Sequence, residues 1–168
     1  PGHGRTTTDT HKEMPTVSAS DEELDADLQP FRLLRDAPLG MTGHLLFTTW
    51  DPDNPATLSR TVISNIIRGR IGFSGLLLTD DIDMEALSGS VPERAERAIA
   101  AGCDVVLNCW AKMDDMIGIT ERCGVLSDQG QERLARVHAA MGALGDRPAP
   151  DELLLKREAL LAIAQARA

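Results

Sequence analysis

Two adjacent carboxylates at the end of an apolar run are the first residues of this sequence that could do chemistry. Asp80 and Asp81 close the run Gly75–Asp81, in which apolar residues do not alternate with polar ones. Such runs are typical of strands covered on both faces, and sites in parallel α/β folds lie at the carboxyl ends of strands. Adjacent residues of an extended chain point in opposite directions, so we expect one carboxylate to face a site and the other to hold the loop. The alternative is that both carboxylates only cap the following segment.

A second group with possible chemistry lies in the opening loop, where His3, Asp9 and His11 accompany Gly2 and Gly4. Asp9 and His11 are two residues apart, which puts both side chains on one side of an extended chain. A carboxylate beside an imidazole orients the ring and raises its pKa, which prepares the ring for proton transfer near neutral pH. The alternative is an exposed loop histidine beside an unrelated aspartate.

The remaining reactive side chains favour structural roles. His44 lies inside an apolar stretch, which predicts a hydrogen-bonded core histidine rather than a catalytic one. Cys103, Cys109 and Cys123 form no CxxC pair, and an odd number of cysteines does not describe a disulfide scaffold. We therefore expect reduced thiols and a cytoplasmic protein, with no metal bound by the cysteines.

The composition excludes several classes of function. The chain has 168 residues with 17 Lys+Arg and 26 Asp+Glu, a formal net charge of −9, and 42% hydrophobic residues. These are globular values, and an acidic chain without a basic cluster argues against nucleic acid or anionic lipid as the partner. Neither a membrane-spanning run nor a signal peptide is predicted, and no phosphate-binding glycine motif occurs.

The elements that must position these residues alternate between helix and strand. Ser20 and Glu23 form a capping-box pattern that predicts a helix through Leu28, with a continuation after Pro30. Apolar spacing and Gly/Pro punctuation predict the other elements. The predicted strands are Met41–Phe47, Gly75–Asp81 and Asp104–Asn108, and the further predicted helices are Ser59–Arg70, Pro92–Ala101, Asp128–Gly142 and Glu152–Ala166.

This order predicts an α/β fold made of parallel βαβ units. Three strands are too few to close a barrel, so we expect the carboxyl-terminal portion of a (β/α)8 TIM-type barrel whose N-terminal half lies upstream of Pro1. Within this single domain, residues 1–19 would form a catalytic loop, 20–111 the βα units and 112–168 the C-terminal helices. The alternative is a small doubly wound sheet that stands alone.

Several short motifs, taken in order, resemble a known family. They are Pro1-Gly-His-Gly4, Asp9-Thr-His-Lys12, Gly43-His44, Gly72-Phe-Ser-Gly75, Leu78-Thr-Asp-Asp81 and Ala101-Gly-Cys-Asp104. Each motif alone is weak, but the ordered set is similar to that of bacterial β-N-acetylglucosaminidases of glycoside hydrolase family 3, of the peptidoglycan-recycling type. The family's usual Lys-His-Phe before the first motif is absent, and Thr10 and Thr79 stand where serine is usual.

The resemblance implies a retaining glycosidase that needs neither a metal nor a cofactor. By the match, Asp80 is the nucleophile, His11 the general acid/base and Asp9 the residue that orients His11. Further positions implied as substrate-binding or loop residues are Gly2, His3, Gly4 and His44. The implied partner is a glycan or muropeptide that contains N-acetylglucosamine, together with the missing half of the barrel.

Two other classes of function stay open at this point. A metal-dependent hydrolase could use the cluster His3, Asp9, His11, Asp80, Asp81 and Asp83, although no HExxH-type pattern occurs. A non-catalytic barrel fragment is the second alternative. Because strand edges and apolar faces would be left open, we expect residues 1–168 alone to be inactive and either aggregation-prone or paired with another chain.

Overall fold

A computed structural model describes residues 4–7, 9, 13–142 and 150–165 of the chain. The chain divides into two compact units, Pro1–Val137 and His138–Ala168. The helices of the described part are α1 (Asp21–Asp27), α2 (Gln29–Leu33), a 3-10 turn (Ala56–Leu58), a π-helix (Val62–Ile71), α3 (Val91–Ala101), α4 (Met113–Cys123), α5 (Asp128–Gly142) and α6 (Pro150–Gln165). The strands are β1 (Thr16–Val17), β2 (Leu39–Met41), β3 (Leu46–Phe47), β4 (Leu76–Asp81) and β5 (Val105–Leu107).

All strands pair in parallel, as the alternation of helices and strands predicts. One sheet has the order β2-β4-β5, with Gly40 opposite Leu77 and Leu78 opposite Val105, and the other consists of β1 and β3. The first unit is therefore an α/β structure of parallel strands with helices between them. Most of its buried apolar residues form a hydrophobic cluster that includes side chains of α1, the π-helix and β4.

Local signals in the sequence account for the ends of the helices. α1 begins after Ser20, whose hydroxyl accepts the Glu23 N–H at 3.3 Å, while the Glu23 carboxylate accepts the Ser20 N–H at 2.9 Å. α3 ends at Gly102, which adopts φ of +118°, a conformation that favours glycine. The predicted helices at Ser20–Leu28 and Pro92–Ala101 are confirmed.

The helix predicted at Ser59–Arg70 is confirmed with a wider turn than expected. Its main part is a π-helix, which ends at Gly72 with φ of +78°. The apolar residues that suggested the helix, Val62, Ile63 and Ile66 among them, are buried as expected. None of the helices in the described ranges is both long and apolar enough to cross a membrane.

The prediction of one strand over Met41–Phe47 is wrong. β2 ends at Met41, and its ladder closes where the Thr42 N–H donates to the Leu78 carbonyl at 2.9 Å. The chain then leaves this sheet, and the Leu46 N–H donates to the Pro15 carbonyl at 2.9 Å as β3 begins in the other sheet. One apolar stretch of the sequence therefore contributes residues to both sheets.

Three elements of the described part were missed from the sequence, and the 3-10 turn at Ala56–Leu58 is one of them. β1 is only two residues long, too short to show a periodic pattern. α4 contains Gly118, which is unfavourable inside a helix. Here the glycine allows close packing, because a Cβ at this position would lie 2.6 Å from Cγ of Pro92, at the start of α3.

Candidate active site

The carboxyl end of β4 carries a β-bulge, and Asp80 lies in it. Between Leu78 and Asp81, β4 advances by three residues while β5 advances by two. The buried Thr79 hydroxyl accepts the Leu107 N–H at 2.8 Å. It takes the place of a backbone carbonyl at the point where the bulge interrupts the ladder. Bulges beside active sites re-aim side chains, and this one separates the directions of the two carboxylates.

The two aspartates have different surroundings, as the sequence predicts. Asp80 lines a cleft, and its Oδ1 accepts the Asp81 N–H at 2.8 Å. Asp81 turns to the loops, where its Oδ1 accepts the N–H groups of Asp83 at 3.2 Å and Cys109 at 3.0 Å. Asp81 therefore fixes the loops after β4 and β5, while the second oxygen of Asp80 has no hydrogen-bond partner among the described residues.

The cleft has a volume of about 420 Å³ and is mostly apolar. Thr42 and Asp80 are the residues with polar side chains that line it. Its other lining residues are Phe31, Leu34, Ala37, Leu39, Gly40, Met41, Gly43, Ile67, Ile71, Phe73 and Leu77. Polar recognition is therefore confined to the end of the cleft that contains the strand termini.

His44 is a buried, doubly hydrogen-bonded histidine, as its apolar surroundings predict. Its side chain lies 2.9 Å through Nδ1 from the Thr57 hydroxyl and 2.9 Å through Nε2 from the Asp81 carbonyl oxygen. Burial lowers the pKa of the ring, and the hydrogen bond to the Asp81 carbonyl opposes this only in part. His44 is 0% exposed, so its grouping with the substrate-binding positions is wrong as a direct contact.

The loop positions of the candidate site are described only in part. Gly4 and Asp9 are exposed, and the Asp9 carbonyl accepts the Glu13 N–H at 3.2 Å. Gly2, His3 and His11 lie outside the described residues. The proton-transfer roles of Asp9 and His11 therefore stay predictions.

The acidic residues after β4 do not converge on a common point. Within residues 4–7, 9, 13–142 and 150–165, no group of three or more His, Cys, Asp or Glu side chains could hold a metal ion. Two buried polar atoms at these strand ends, Asp83 Oδ2 and Asn108 Nδ2, have no hydrogen-bond partner in the part of the chain that the structure describes. Asn108 instead uses its Oδ1, which accepts the Ala111 N–H at 3.2 Å.

Three buried threonines that hold this site were missed from the sequence. Thr42 and Thr79 lie on or beside strands, and Thr57 lies in the 3-10 turn. The Thr42 and Thr57 hydroxyls bond to each other, Thr57 also bonds to His44, and the Thr79 hydroxyl bonds to the β5 backbone. A threonine on a strand is too common to mark a site, and no sequence signal connects Thr57 to His44.

Comparison with known proteins agrees with this geometry. The model of the Glycosyl hydrolase family 3 N terminal domain matches residues 1–141. The Beta-hexosaminidase of Tolumonas auensis is 44% identical over 117 residues, 65% of this chain and 34% of that protein. The Beta-hexosaminidase of Nitrosospira multiformis is 34% identical over 165 residues, 94% of this chain and 44% of that protein. The glycoside hydrolase family 3 β-N-acetylglucosaminidase from Paenibacillus sp. str. FPU-7 has a TM-score of 0.71 at 31% identity, covering 88% of this chain and 31% of that one.

The protein is an α/β protein with parallel strands and a carboxylate at the end of one of them. In this class of fold the active site lies at the carboxyl ends of the strands. Within that class, the chain belongs to glycosyl hydrolase family 3. The family resemblance seen in the ordered motifs is thereby confirmed. The chain spans between about a third and a half of the length of these curated relatives.

Proposed function

We propose that this chain supplies the nucleophile and the acid/base loop of a retaining glycosidase that cleaves terminal β-N-acetylglucosaminides. The observation that carries the proposal is the position of Asp80, which lies in a bulge at the end of β4 and lines a cleft. Supporting it are the family membership and the names of the relatives, Beta-hexosaminidase in Tolumonas auensis and Nitrosospira multiformis. Asp80 also occupies the nucleophile position in the ordered family motifs.

In the first step the free oxygen of Asp80 attacks the anomeric carbon of the sugar, while the bond from that carbon to the leaving oxygen breaks. The Asp81 N–H donates to the other Asp80 oxygen at 2.8 Å and so keeps the carboxylate oriented. His11, oriented by Asp9, protonates the leaving oxygen. The product of this step is a glycosyl ester on Asp80.

In the second step water replaces Asp80 at the anomeric carbon. His11, now neutral, takes a proton from the water as the new bond forms and the ester bond breaks. Two inversions at one carbon return the original configuration, which is why the mechanism is retaining. No metal or cofactor is needed for either step.

The apolar part of the cleft supports the barrel hypothesis. Leu39 and Met41 of β2 are 47% and 56% exposed, and Leu34 after α2 is 65% exposed. β2 and β5 are the edge strands of their sheet. We take these edges and this face to be covered by the other strands and helices of a (β/α)8 barrel, of which this chain is the carboxyl-terminal part.

The natural substrate we propose is a peptidoglycan fragment that carries N-acetylglucosamine, recycled in the cytoplasm. A product assay that compares anhydromuropeptides with chitobiose tests this part. Faster release of N-acetylglucosamine from the anhydromuropeptide supports it. A preference for chitobiose would assign the enzyme to chitin oligomers instead.

The activity itself is tested in a chimera, in which the residues of this chain replace the matching segment of the Tolumonas auensis protein. We expect the chimera to cleave an aryl β-N-acetylglucosaminide with retention, observed by NMR of the first anomer formed. Exhaustive chelation should leave the rate unchanged. Loss of activity on chelation, restored by a divalent ion, would favour the metal-dependent hydrolase.

The control for the chimera is the 168-residue chain on its own, measured in the same activity assay. We expect it to have no measurable activity, because half of the barrel and its sugar-binding residues would be missing. Activity of the isolated, monodisperse chain equal to that of the chimera contradicts the barrel hypothesis. An inactive chimera that is folded would favour the non-catalytic alternative.

A further inference from the structure

A chain of hydrogen bonds runs from the cleft wall to the backbone carbonyl of Asp81, the residue that follows Asp80. Thr42, which lines the cleft, lies 2.8 Å from the Thr57 hydroxyl. Thr57 lies 2.9 Å from Nδ1 of His44, and Nε2 of His44 lies 2.9 Å from the Asp81 carbonyl oxygen. All three side chains are buried, with Thr57 and His44 0% exposed.

The direction of these hydrogen bonds follows from the last one. A carbonyl oxygen only accepts, so Nε2 of His44 must carry its proton and donate to Asp81. In a neutral ring Nδ1 is then an acceptor, and the Thr57 hydroxyl donates to it at 2.9 Å rather than to the more distant Gly43 carbonyl at 3.2 Å. The Thr57 oxygen in turn accepts from Thr42.

The backbone of Asp81 is held on both sides of its Cα. Its N–H, in the Asp80–Asp81 peptide, donates to Asp80 Oδ1 at 2.8 Å, and its carbonyl, in the Asp81–Ile82 peptide, accepts from His44. The Ile82 N–H of that second peptide donates to the Leu107 carbonyl at 3.0 Å, so both polar groups of the second peptide are engaged. A fixed Asp81–Ile82 peptide fixes the Asp81 Cα, and this limits the directions that the Asp81 N–H can take toward the carboxylate of Asp80.

From this geometry we infer that His44 and Thr57 are positioning residues, which hold the backbone of Asp81 so that the Asp81 N–H orients the Asp80 nucleophile. The inference rests on the proposed role of Asp80. Neither residue touches the substrate: each acts through the backbone of Asp81. His44 in the core and Thr57 in the 3-10 turn thereby support the nucleophile from outside the cleft.

The kinetic test removes the Thr57 hydroxyl in the chimera. For Thr57→Val we expect kcat to fall about 10- to 100-fold with KM within about twofold, the size of loss typical when a supporting hydrogen bond to a reactive group is removed. Thr57→Ser keeps the hydroxyl and should restore most of kcat.

The matched control is Ser59→Ala. Ser59 is also 0% exposed, and its hydroxyl bonds to Asp51 and to the Val62 N–H rather than to His44. Ser59→Ala should lower the melting temperature about as much as Thr57→Val but leave kcat unchanged. Equal kcat in the two variants would overturn the positioning role.

A spectroscopic test is independent of activity. In the chimera labelled with ¹⁵N-histidine, the His44 signals, assigned by their loss in His44→Gln, should show a neutral ring protonated at Nε2 at pH 7. A ring protonated at Nδ1, or a charged ring, would overturn the proposed direction of the hydrogen bonds.

The two tests separate this inference from the proposed function. If the chimera is inactive but His44 is protonated at Nε2, the hydrogen-bond chain exists and the glycosidase proposal fails. If the chimera is active and Thr57→Val behaves like Ser59→Ala, the glycosidase stands and the positioning inference fails.

Discussion

The two ends of the β4–β5 strand pair each carry an aspartate, and their surroundings are opposite. Asp104, before β5, has a side chain only 5% exposed and accepts from Arg68 at 2.9 Å, Arg133 at 2.6 Å and the Leu77 N–H at 2.9 Å. At the other end, no ion pair joins Asp80 to an Arg or Lys of the described residues. A carboxylate neutralised by two guanidiniums stabilises the fold, whereas one held only by a peptide N–H keeps an oxygen for chemistry.

The amino end of the strands is built as a clamp around Arg68. Besides Asp104, Arg68 donates to the carbonyls of Phe73 at 3.0 Å and Gly75 at 2.8 Å. Arg136 of α5 donates to the Ser74 carbonyl at 2.8 Å. These bonds hold the turn before β4, and they place stability at one end of the sheet and the candidate chemistry at the other.

The largest effect should come from Asp80→Asn, which tests the chemical end. In the chimera we expect kcat to fall on the order of 10⁴-fold, as when a member of a catalytic triad is removed. The free energy of unfolding should change by less than about 0.5 kcal/mol, because the amide oxygen still accepts the Asp81 N–H. Full activity in this variant would remove Asp80 from the nucleophile role.

Asp104→Ala tests the stabilising end. The substitution leaves the guanidinium groups of Arg68 and Arg133 without their shared carboxylate. We therefore expect the free energy of unfolding, measured by urea denaturation, to fall by about 3–5 kcal/mol. If the substitution costs less than about 1 kcal/mol, the value of an exposed pair, then the clamp does not stabilise the fold.

Gly75→Ala tests the same end through packing. A Cβ on Gly75 would lie 2.4 Å from the Ala37 carbonyl oxygen and 2.7 Å from that of Pro38, which is backbone and cannot move aside easily. We expect a loss of about 1–3 kcal/mol in unfolding free energy. Ser74→Ala, next to it and exposed, is the control and should change stability by less than about 0.5 kcal/mol. If Gly75→Ala and Ser74→Ala change the free energy of unfolding equally, the close contact of Gly75 with the Ala37 and Pro38 carbonyls does not limit the residue at position 75.

The smallest effect concerns pH at the chemical end. Burial lowers the pKa of His44, and the positive charge of Arg94 lowers it further. The negative charges of Asp80 and Asp81 oppose this shift. The unfolded chain then binds a proton below about pH 6.5 that the folded chain does not bind, so stability falls as pH drops through that range, by at most about 1.4 kcal/mol per pH unit. His44→Gln should flatten this dependence. Equal slopes in the two proteins would contradict it.

The sequence predicts elements whose signals are local. Ser20 with Glu23, Gly102, and the apolar run before Asp80 each act on neighbouring residues, and the structure follows them. The strand over Met41–Phe47 was predicted wrongly because its partners are distant: Leu78 in one sheet and Pro15 in the other determine where the chain turns.

The same limit applies to the candidate site. The alternation of an extended chain predicts that Asp80 and Asp81 have different surroundings, and the structure agrees. The bulge at Thr79 depends on the pairing of β4 with β5. The hydrogen bond from Thr57 to His44 joins residues 13 apart through a turn that no pattern marks.

The most direct test of the account is covalent trapping of the nucleophile in the chimera. A slow 5-fluoro-β-N-acetylglucosaminide with a good leaving group should form a stable glycosyl ester, which peptide mapping by mass spectrometry should place on Asp80. The Asp80→Asn variant should remain unlabelled. A label on Asp81 or on another residue of an active chimera would contradict the assignment of the two ends of the sheet.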